Sequence, residues 1–261
     1  MLIGPQAKIR SGPFTGEQPS YPLTASAFLN TTGINLTSLY TYTDSSGPLV
    51  DVIGGANLTS ILGTPSYRQP VGGSVGISYD GASNTGHYAN VNDPGLSSFI
   101  IGAIGTFGTV YVGTQPGIFG RISVTTRRPE ASIYRDGAAV FYPVFRIQDT
   151  GTFTLALGTV SINTVSPIRP VLYMGQVDRT NNLAYFLVAD SNRILYNGSG
   201  SIAGCGTLTG GVLPTFFSGG GDGNVFKGGY KGSLGFYATG AQCVGSTVLT
   251  NLAKRLGFGG E

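Results

Sequence analysis

The sequence predicts an all-β protein: an antiparallel sandwich with one short helix at its C-terminal end and an extended arm at its N-terminal end. Three observations carry this. Turn signals recur at close intervals: Asp80-Gly81, Asp136-Gly137, Asp149-Thr150-Gly151, Asp190-Ser191-Asn192, Asn197-Gly198 and Asp222-Gly223. Each interrupts an apolar, β-branched stretch, the pattern of strands joined by tight turns. Helical spacing of apolar residues is confined to the end of the chain, which leaves roughly a dozen strands before it. At 261 residues the chain can bury a sizeable core, and 14 Tyr and 14 Phe supply the ring surface that a disordered chain would lack.

The elements follow in order. Residues 1–22 carry Pro5, Pro13, Pro19 and Pro22 with little periodicity and read as an extended arm; residues 23–261 form the sandwich. The uncharged run "FIIGAIGTFGTVYVG" is broken by Gly and Thr and rich in β-branched residues, so it reads as two buried strands joined by a glycine turn. No transmembrane segment is expected. "SIYRDGAAVFY" and "YFLVADSNRILY" read as hairpins, and "TFTLALGTVSI" as a further pair around Gly158. No internal repeat of fixed period stands out, which argues against a propeller or solenoid. After a strand over Tyr230–Tyr237, Ser246–Leu256 reads as a helix. Ser246 is the expected N-cap, Val248, Leu249, Leu252 and Leu256 form one apolar stripe, and Lys254 and Arg255 complement the last turn before Gly257.

Composition narrows the chemistry. Charged residues make up 10% of the chain, against roughly a quarter in ordinary globular proteins, and the net charge is +3. The basic residues are scattered, with Arg127-Arg128 and Lys254-Arg255 the only adjacent pairs. A nucleic-acid partner would call for clustered Lys and Arg, so none is expected. Cys205 and Cys243 are too few for a disulfide framework; they either pair with each other or remain free thiols. "MLIGPQAKIRSGPFTGEQPS" lacks the apolar core of a secretory signal, and the sequons at Asn30, Asn35, Asn57 and Asn197 are read as compositional.

Catalytic constellations are not visible. The glutamates are Glu17, Glu130 and Glu261, far apart and without the paired spacing that a sandwich glycosidase needs. His87 is the only histidine, which excludes a multi-histidine metal centre. It is read as a residue on a strand near a turn. "FFSGGGDGNVFKGG" lacks the Gly-Lys-Ser/Thr ending of a phosphate-binding loop and reads as a loop between strands.

Four stretches carry a family resemblance: "LYTYTDSSGPLVDVIGGANLTSILGTPSYRQ", "GSVGISYDGASNTGHYANV", "SSFIIGAIGTF" and "FKGGYKGSLGFYATGAQCVGSTVLTNLAKRLG". In this order, over about residues 23–258, they resemble a concanavalin A-like jelly roll of the laminin-G type. The resemblance implies that the terminal strand returns beside the first and that the helix covers the exposed end of the core. It departs from many members in having no Trp. It implies no catalytic residues and no obligatory cofactor. The one ion it suits is calcium at a loop rim, with Asp80 and Asn84 or Asp222 and Asn224 as candidate ligands. Two functional expectations follow. One is a non-enzymatic structural component of a bacteriophage virion (capsid decoration, tail or fibre). It would be made in the host cytoplasm without a signal peptide, with other virion proteins and copies of itself, as a trimer, for partners. The alternative is a carbohydrate-binding, lectin-like module that attaches to glycans through a shallow groove of tyrosines, with Tyr40, Tyr42, Tyr79 and Tyr88 as candidates.

Overall fold

A computed structural model describes residues 24–54, 57–71, 74–79, 86–88, 95–110, 117–119, 130–135, 141–149, 154–158, 169–208 and 228–260. The elements are α1 (Ala25–Thr32), β1 (Ser38–Tyr40), β2 (Ser60–Leu62), β3 (Ser66–Val71), β4 (Ser74–Tyr79), β5 (Gly86–Tyr88), β6 (Phe99–Val110) and β7 (Gly117–Phe119). They continue as β8 (Glu130–Arg135), β9 (Phe141–Gln148), β10 (Thr154–Leu157), β11 (Val171–Asp178), β12 (Leu183–Ala189), β13 (Ile194–Ser201), β14 (Gly228–Thr239) and α2 (Val248–Arg255). An 8-stranded sheet runs β13-β12-β11-β6-β14-β4-β3, with β1 also bonded to β14. A 4-stranded sheet runs β10-β9-β8-β7, and β2 pairs with β5. All described pairings are antiparallel. The protein is an all-β sandwich with a short C-terminal helix.

The large sheet is covered on both faces, and this organises everything else. Alternate residues of a strand point to opposite faces. Val171, Tyr173 and Val177 of β11, Phe99, Ile101 and Ala103 of β6, and Ala184, Phe186 and Val188 of β12 join one core. The small sheet closes that core with Phe145, Ile147, Leu157, Ile118 and Phe119; the rings of Phe145 and Phe186 stack at 5.5 Å. The intervening residues, Leu172 and Met174, Ile100 and Ile104, Leu187 and Ala189, Leu234 and Phe236, form a second core on the other face, roofed by both helices. Every residue of β11 is buried. Continuous apolar runs are therefore what this sheet requires, as in sheets buried on both faces generally.

The helix α2 confirms the expected stripe: Leu249, Leu252 and Leu256 are buried against the sheet, and Gly257 follows at φ 81°. Burying each leucine stabilises the protein by about 1.5–3 kcal/mol. Three details differ from the sequence reading. The helix begins at Val248, with Thr247 rather than Ser246 at the N-cap position and no side-chain hydrogen bond from it. It lies on the back face of the large sheet, over β11 and β12, rather than across the end of the core. It is also joined by α1, a helix the periodicity does not reveal. In α1 the Thr24 hydroxyl accepts from the Ala27 N–H, and the Gly33 N–H closes the last turn on the Leu29 carbonyl. With Ser, Asn and Thr in its eight residues its intrinsic propensity is low. The Phe28 ring, 5.1 Å from that of Phe236, gives it a reason to form.

Other expectations divide. The hairpins β8–β9 and β12–β13 are present, and β14 does pair with β1. "FIIGAIGTFGTV" is one 12-residue strand, not two: as β6 it bonds to β11 on one side and β14 on the other, so no glycine turn interrupts it. Asn197-Gly198 is not a turn either; it sits in mid-strand opposite Leu187 and Phe186. A side chain at 198 would run into the Tyr196 phenol, which accounts for the glycine without any turn. Of "TFTLALGTVSI", Thr154–Leu157 forms β10 against β9, and its second half lies outside the described residues, as do the arm and the turns Asp80-Gly81, Asp136-Gly137 and Asp222-Gly223.

Gly102, at the centre of β6, leaves the space that the Phe236 ring occupies on the back face. Gly102→Ala overpacks this site and is expected to cost about 1–3 kcal/mol in urea unfolding. Ser199→Ala, exposed on the edge strand β13, should stay within about 0.5 kcal/mol of the parent.

Candidate functional site

The candidate site is a loop rim built where the chain leaves the sheet. β1 pairs with Gly235–Tyr237 of β14, and β4 pairs further along the same edge with Tyr230–Gly232. Two segments thus share one strand position, and the first must get out of the way. It does so at Tyr42, whose φ is 55°, a left-handed conformation unusual for a bulky residue. The loop 41–48 follows and presents Thr43, Ser45 and Ser46 to solvent, with Asp44 half-buried. Leu49 and Leu58 then bond to each other's backbone, and Asp51 bridges to Tyr40.

Of the four tyrosines proposed from the sequence as a sugar platform, three belong to the front-face core. Tyr40 and Tyr42 are fully buried and Tyr79 is 3% exposed, all within the front-face core. A stacking platform needs a ring face open to solvent, so these three are structural supports and not ligand contacts. Only the backbone of Tyr88 is described, on β5 beside β2. Asp80, Asn84, Asp222 and Asn224 lie outside the described residues. Among the described residues no group of three or more His, Cys, Asp and Glu is placed to hold a metal. Among the described residues, a half-exposed ring at this rim is that of Tyr67 on β3, which sequence reasoning missed. The available signal was Pro70 beside the polar Arg68 and Gln69, which marks the stretch around Tyr67 as an edge strand.

Tyr67, Tyr79 and His87 form one hydrogen-bonded cluster. His87 sits on β5, as expected, and is fully buried. Its Nδ1 lies 2.9 Å from the Tyr79 hydroxyl, and its Nε2 lies 3.0 Å from both the Tyr67 hydroxyl and the Gly47 carbonyl. The Tyr67 hydroxyl donates to the same carbonyl at 2.6 Å. A neutral imidazole protonated at Nε2 satisfies the set: Tyr79 donates to Nδ1, Nε2–H donates to Gly47, and Gly47 also accepts from Tyr67. Burial holds the imidazole below its ordinary value, against the opposing influence of the Gly47 carbonyl and the Asp44 carboxylate. Burial, and then the charges of Tyr67 and Asp44, push the Tyr79 phenol well above its ordinary value.

The described buried carboxylates are engaged with backbone. Asp51 Oδ1 accepts from the N–H groups of Leu39 and Ile53, both at 3.0 Å. Asp190 Oδ1 accepts from those of Asn192 and Arg193 and shapes the β12–β13 turn. At the opposite end of β14, Asp149 Oδ2 accepts from Gly206 N–H at 2.7 Å, while the Arg179 guanidinium donates to the carbonyls of Cys205 and Gly206. Asp178 takes the backbone and side-chain N–H groups of Asn181 and the N–H of Gly245. Beside it, Gln176 Nε2 donates to the carbonyls of Cys243 and Gly245. Together they anchor the segment leading into α2. Cys205 packs against the front-face core and Cys243 lies in the back-face core, so the two do not pair. Burial pushes the Cys243 thiol up to about 12.

This all-β sandwich framework is shared with solved structures of low sequence identity. The binding domain of Paraclostridial Mosquitocidal Protein 1 superposes with a TM-score of 0.60 at 11% identity, covering 86% of this chain and 53% of that one. A Trypanosoma rangeli sialidase in complex with sialic acid gives 0.55 at 11% identity over 83% of this chain and 32% of that one. A mutant of a GH54 arabinofuranosidase gives 0.52 at 8% identity over 90% and 65%. The chain thus spans about half, a third and two thirds of these proteins. No protein-family model matches the chain, and no curated protein matches its sequence. At these identities the likeness establishes the fold.

Two outcomes follow from the geometry. Burial acts to raise the Asp178 carboxyl, yet the hydrogen bonds from Asn181, Gly245 and Thr180 hold it below its ordinary value of 3.8. Its contribution is therefore present above that pH and lost as the pH falls through the lower folded value. Asp178→Ala should cost about 1–3 kcal/mol at neutral pH, and should flatten the acid limb of the stability curve below the ordinary aspartate value. For the thiols, both cysteines should titrate as free in denaturant; in the native protein Cys243 should resist alkylation until the chain unfolds.

Proposed function

We propose that this chain is a non-catalytic binding module, a sandwich that carries a rim of polar loops to a glycan or another protein surface and serves a bacteriophage virion as a structural component. The observation that carries the reading is the use of the buried carboxylates among the described residues. Asp51, Asp149, Asp178 and Asp190 are buried and hold backbone N–H groups, which is turn-fastening and not acid–base work at a scissile bond. The rim itself offers hydroxyls from Thr43, Ser45 and Ser46, the Asp44 carboxylate and the half-exposed ring of Tyr67. Hydroxyls and carboxylates beside an aromatic ring suit a sugar, which is polar at its edges and apolar on its faces. One structural neighbour is itself described as a binding domain, and another is a sialidase holding sialic acid. The virion assignment rests on the sequence resemblance, the low charge and the Pro-rich arm.

The test combines three measurements on the full chain: a glycan array, a reducing-end assay on the same glycans, and light scattering. Binding to a glycan class without release of reducing ends supports the module, and Asp44→Ala should then weaken it about tenfold. Release of reducing ends would overturn the non-catalytic reading. A stable trimer that binds no glycan would favour the virion role alone, while a monomer without glycan binding would count against both.

A further inference from the structure

The large sheet ends in two edge strands, and the chain treats them differently. An edge strand presents unpaired N–H and C=O groups to any strand that comes beside it, and proteins blunt such edges with charge, proline or a bulge. β3 has all three: Arg68 is exposed and left-handed at φ 53°, Pro70 brings no N–H, and the register to β4 breaks between Ser66 and Gln69. β13, at the other edge, has neither charge nor proline in Ile194–Ser201. Its one irregularity lies near its start, and from Tyr196 to Ser201 it stays in unbroken register with β12. Among the described residues no strand lies beyond it. Which of its groups face outward follows from a single bond. The Ile202 N–H donates to the Asn182 carbonyl at 2.9 Å, in line with the β12–β13 register. Hydrogen-bonded pairs recur at every second residue, so Gly200, Gly198 and Tyr196 bond to β12, while Asn197, Ser199 and Ser201 turn their N–H and C=O groups away from it. The side chains of those three are exposed, on the face of the helices. The other face carries Gly198 and Gly200, against which Tyr196 and Leu155 pack. From Asn197 to Ser201 every side chain is small and uncharged, so β13 itself does not obstruct a strand approaching in the plane of the sheet.

We propose that the β13 edge is a self-association surface: a second copy of this chain lays its own β13 antiparallel against it across a two-fold axis at Ser199, joining the two large sheets into one. In that register Ser199 meets the partner's Ser199 and Asn197 meets the partner's Ser201. Each pair is of the hydrogen-bonded kind and exchanges two N–H···O bonds, so the outward donor and acceptor of all three residues are engaged. Gly198 then lies opposite the partner's Gly200, at the position where the two backbones come closest, and neither has a side chain to keep them apart. A charged strand pairing with itself sets like charges against each other, which is destabilising. Here the facing side chains are Asn and Ser, which can hydrogen-bond across the axis. This fit of the strand to itself favours a second copy over a foreign strand. The contact is isologous, so it joins two copies and closes. It is independent of what the rim binds, so a negative glycan array leaves it standing.

The experiment is light scattering of the full chain from about 1 μM to about 1 mM, together with hydrogen exchange read at single amides. The expected species has twice the 26.9 kDa mass of one chain. As it forms, exchange of the Asn197, Ser199 and Ser201 amides should slow by about tenfold or more, while the Gly198 and Gly200 amides, already bonded to β12, change little. Ser199→Lys should return the protein to a single chain and remove the protection of those three amides. Ser199→Ala leaves the backbone as it is and should keep the pair. If Ser199→Lys does not fold, the alternation between odd and even amides in the parent chain decides the matter. A single chain over the whole range would overturn the proposal. So would a pair or a trimer that survives Ser199→Lys, or a pair whose formation leaves the Asn197, Ser199 and Ser201 amides unprotected.

Discussion

Burial of the large sheet on both faces is the constraint on which the rest of this structure depends. A strand such as β11, buried at every position, has no solvent side on which to place polar residues. Its side chains must then find two separate cores, one beneath the small sheet and one beneath the helices. Close packing on both sides leaves little room for error, which is why glycine appears where a ring from a neighbouring element crosses the strand. Gly102 yields to Phe236 on the back face, and Gly175 yields to Phe145 on the front. Glycine richness here reflects crowding as well as turns.

A sheet sealed on both faces pushes its polar chemistry to the ends of the strands. There the buried aspartates act as fasteners: each accepts two or more N–H groups, or bridges a distant turn, and so satisfies donors that loops would otherwise leave orphaned. Arg179 does the complementary work for carbonyls. The low charge content is consistent with this economy, because the described buried carboxylates work on backbone groups.

The rim at the β1 end is different in kind. It exists because two segments compete for one edge of β14, and the chain that yields is thrown outward at Tyr42. What supports the displaced loop is a small set of neutral hydrogen bonds converging on Gly47, not apolar packing alone. Local stability of that sort is limited and chemically addressable, which is the usual condition of segments that bind or move. A rigid double-cored frame carrying one lightly fastened polar rim is a sensible architecture for attachment.

How much of this was legible in the sequence depends on the range of the interactions involved. The all-β class, the hairpins around Arg135 and Asp190, the C-terminal helix and the strand position of His87 rest on local periodicity and turn chemistry, and each could be read from neighbouring residues. Helix α1 could not, because its stability comes from Phe28 meeting Phe236 more than 200 positions away. Nor could the single long β6, since only its neighbours β11 and β14 show that its glycines are fillers of space and not turns. The tyrosines illustrate the limit most plainly. Their positions were readable from the chain, but whether a ring at 40, 42 or 79 faces water depends on which layer lies above it. The sequence by itself determined the fold class and those elements that local periodicity and turn chemistry mark, the two hairpins and α2 among them. Only the tertiary structure decided which face each one turns to solvent, because that is set by contacts between residues far apart in the chain.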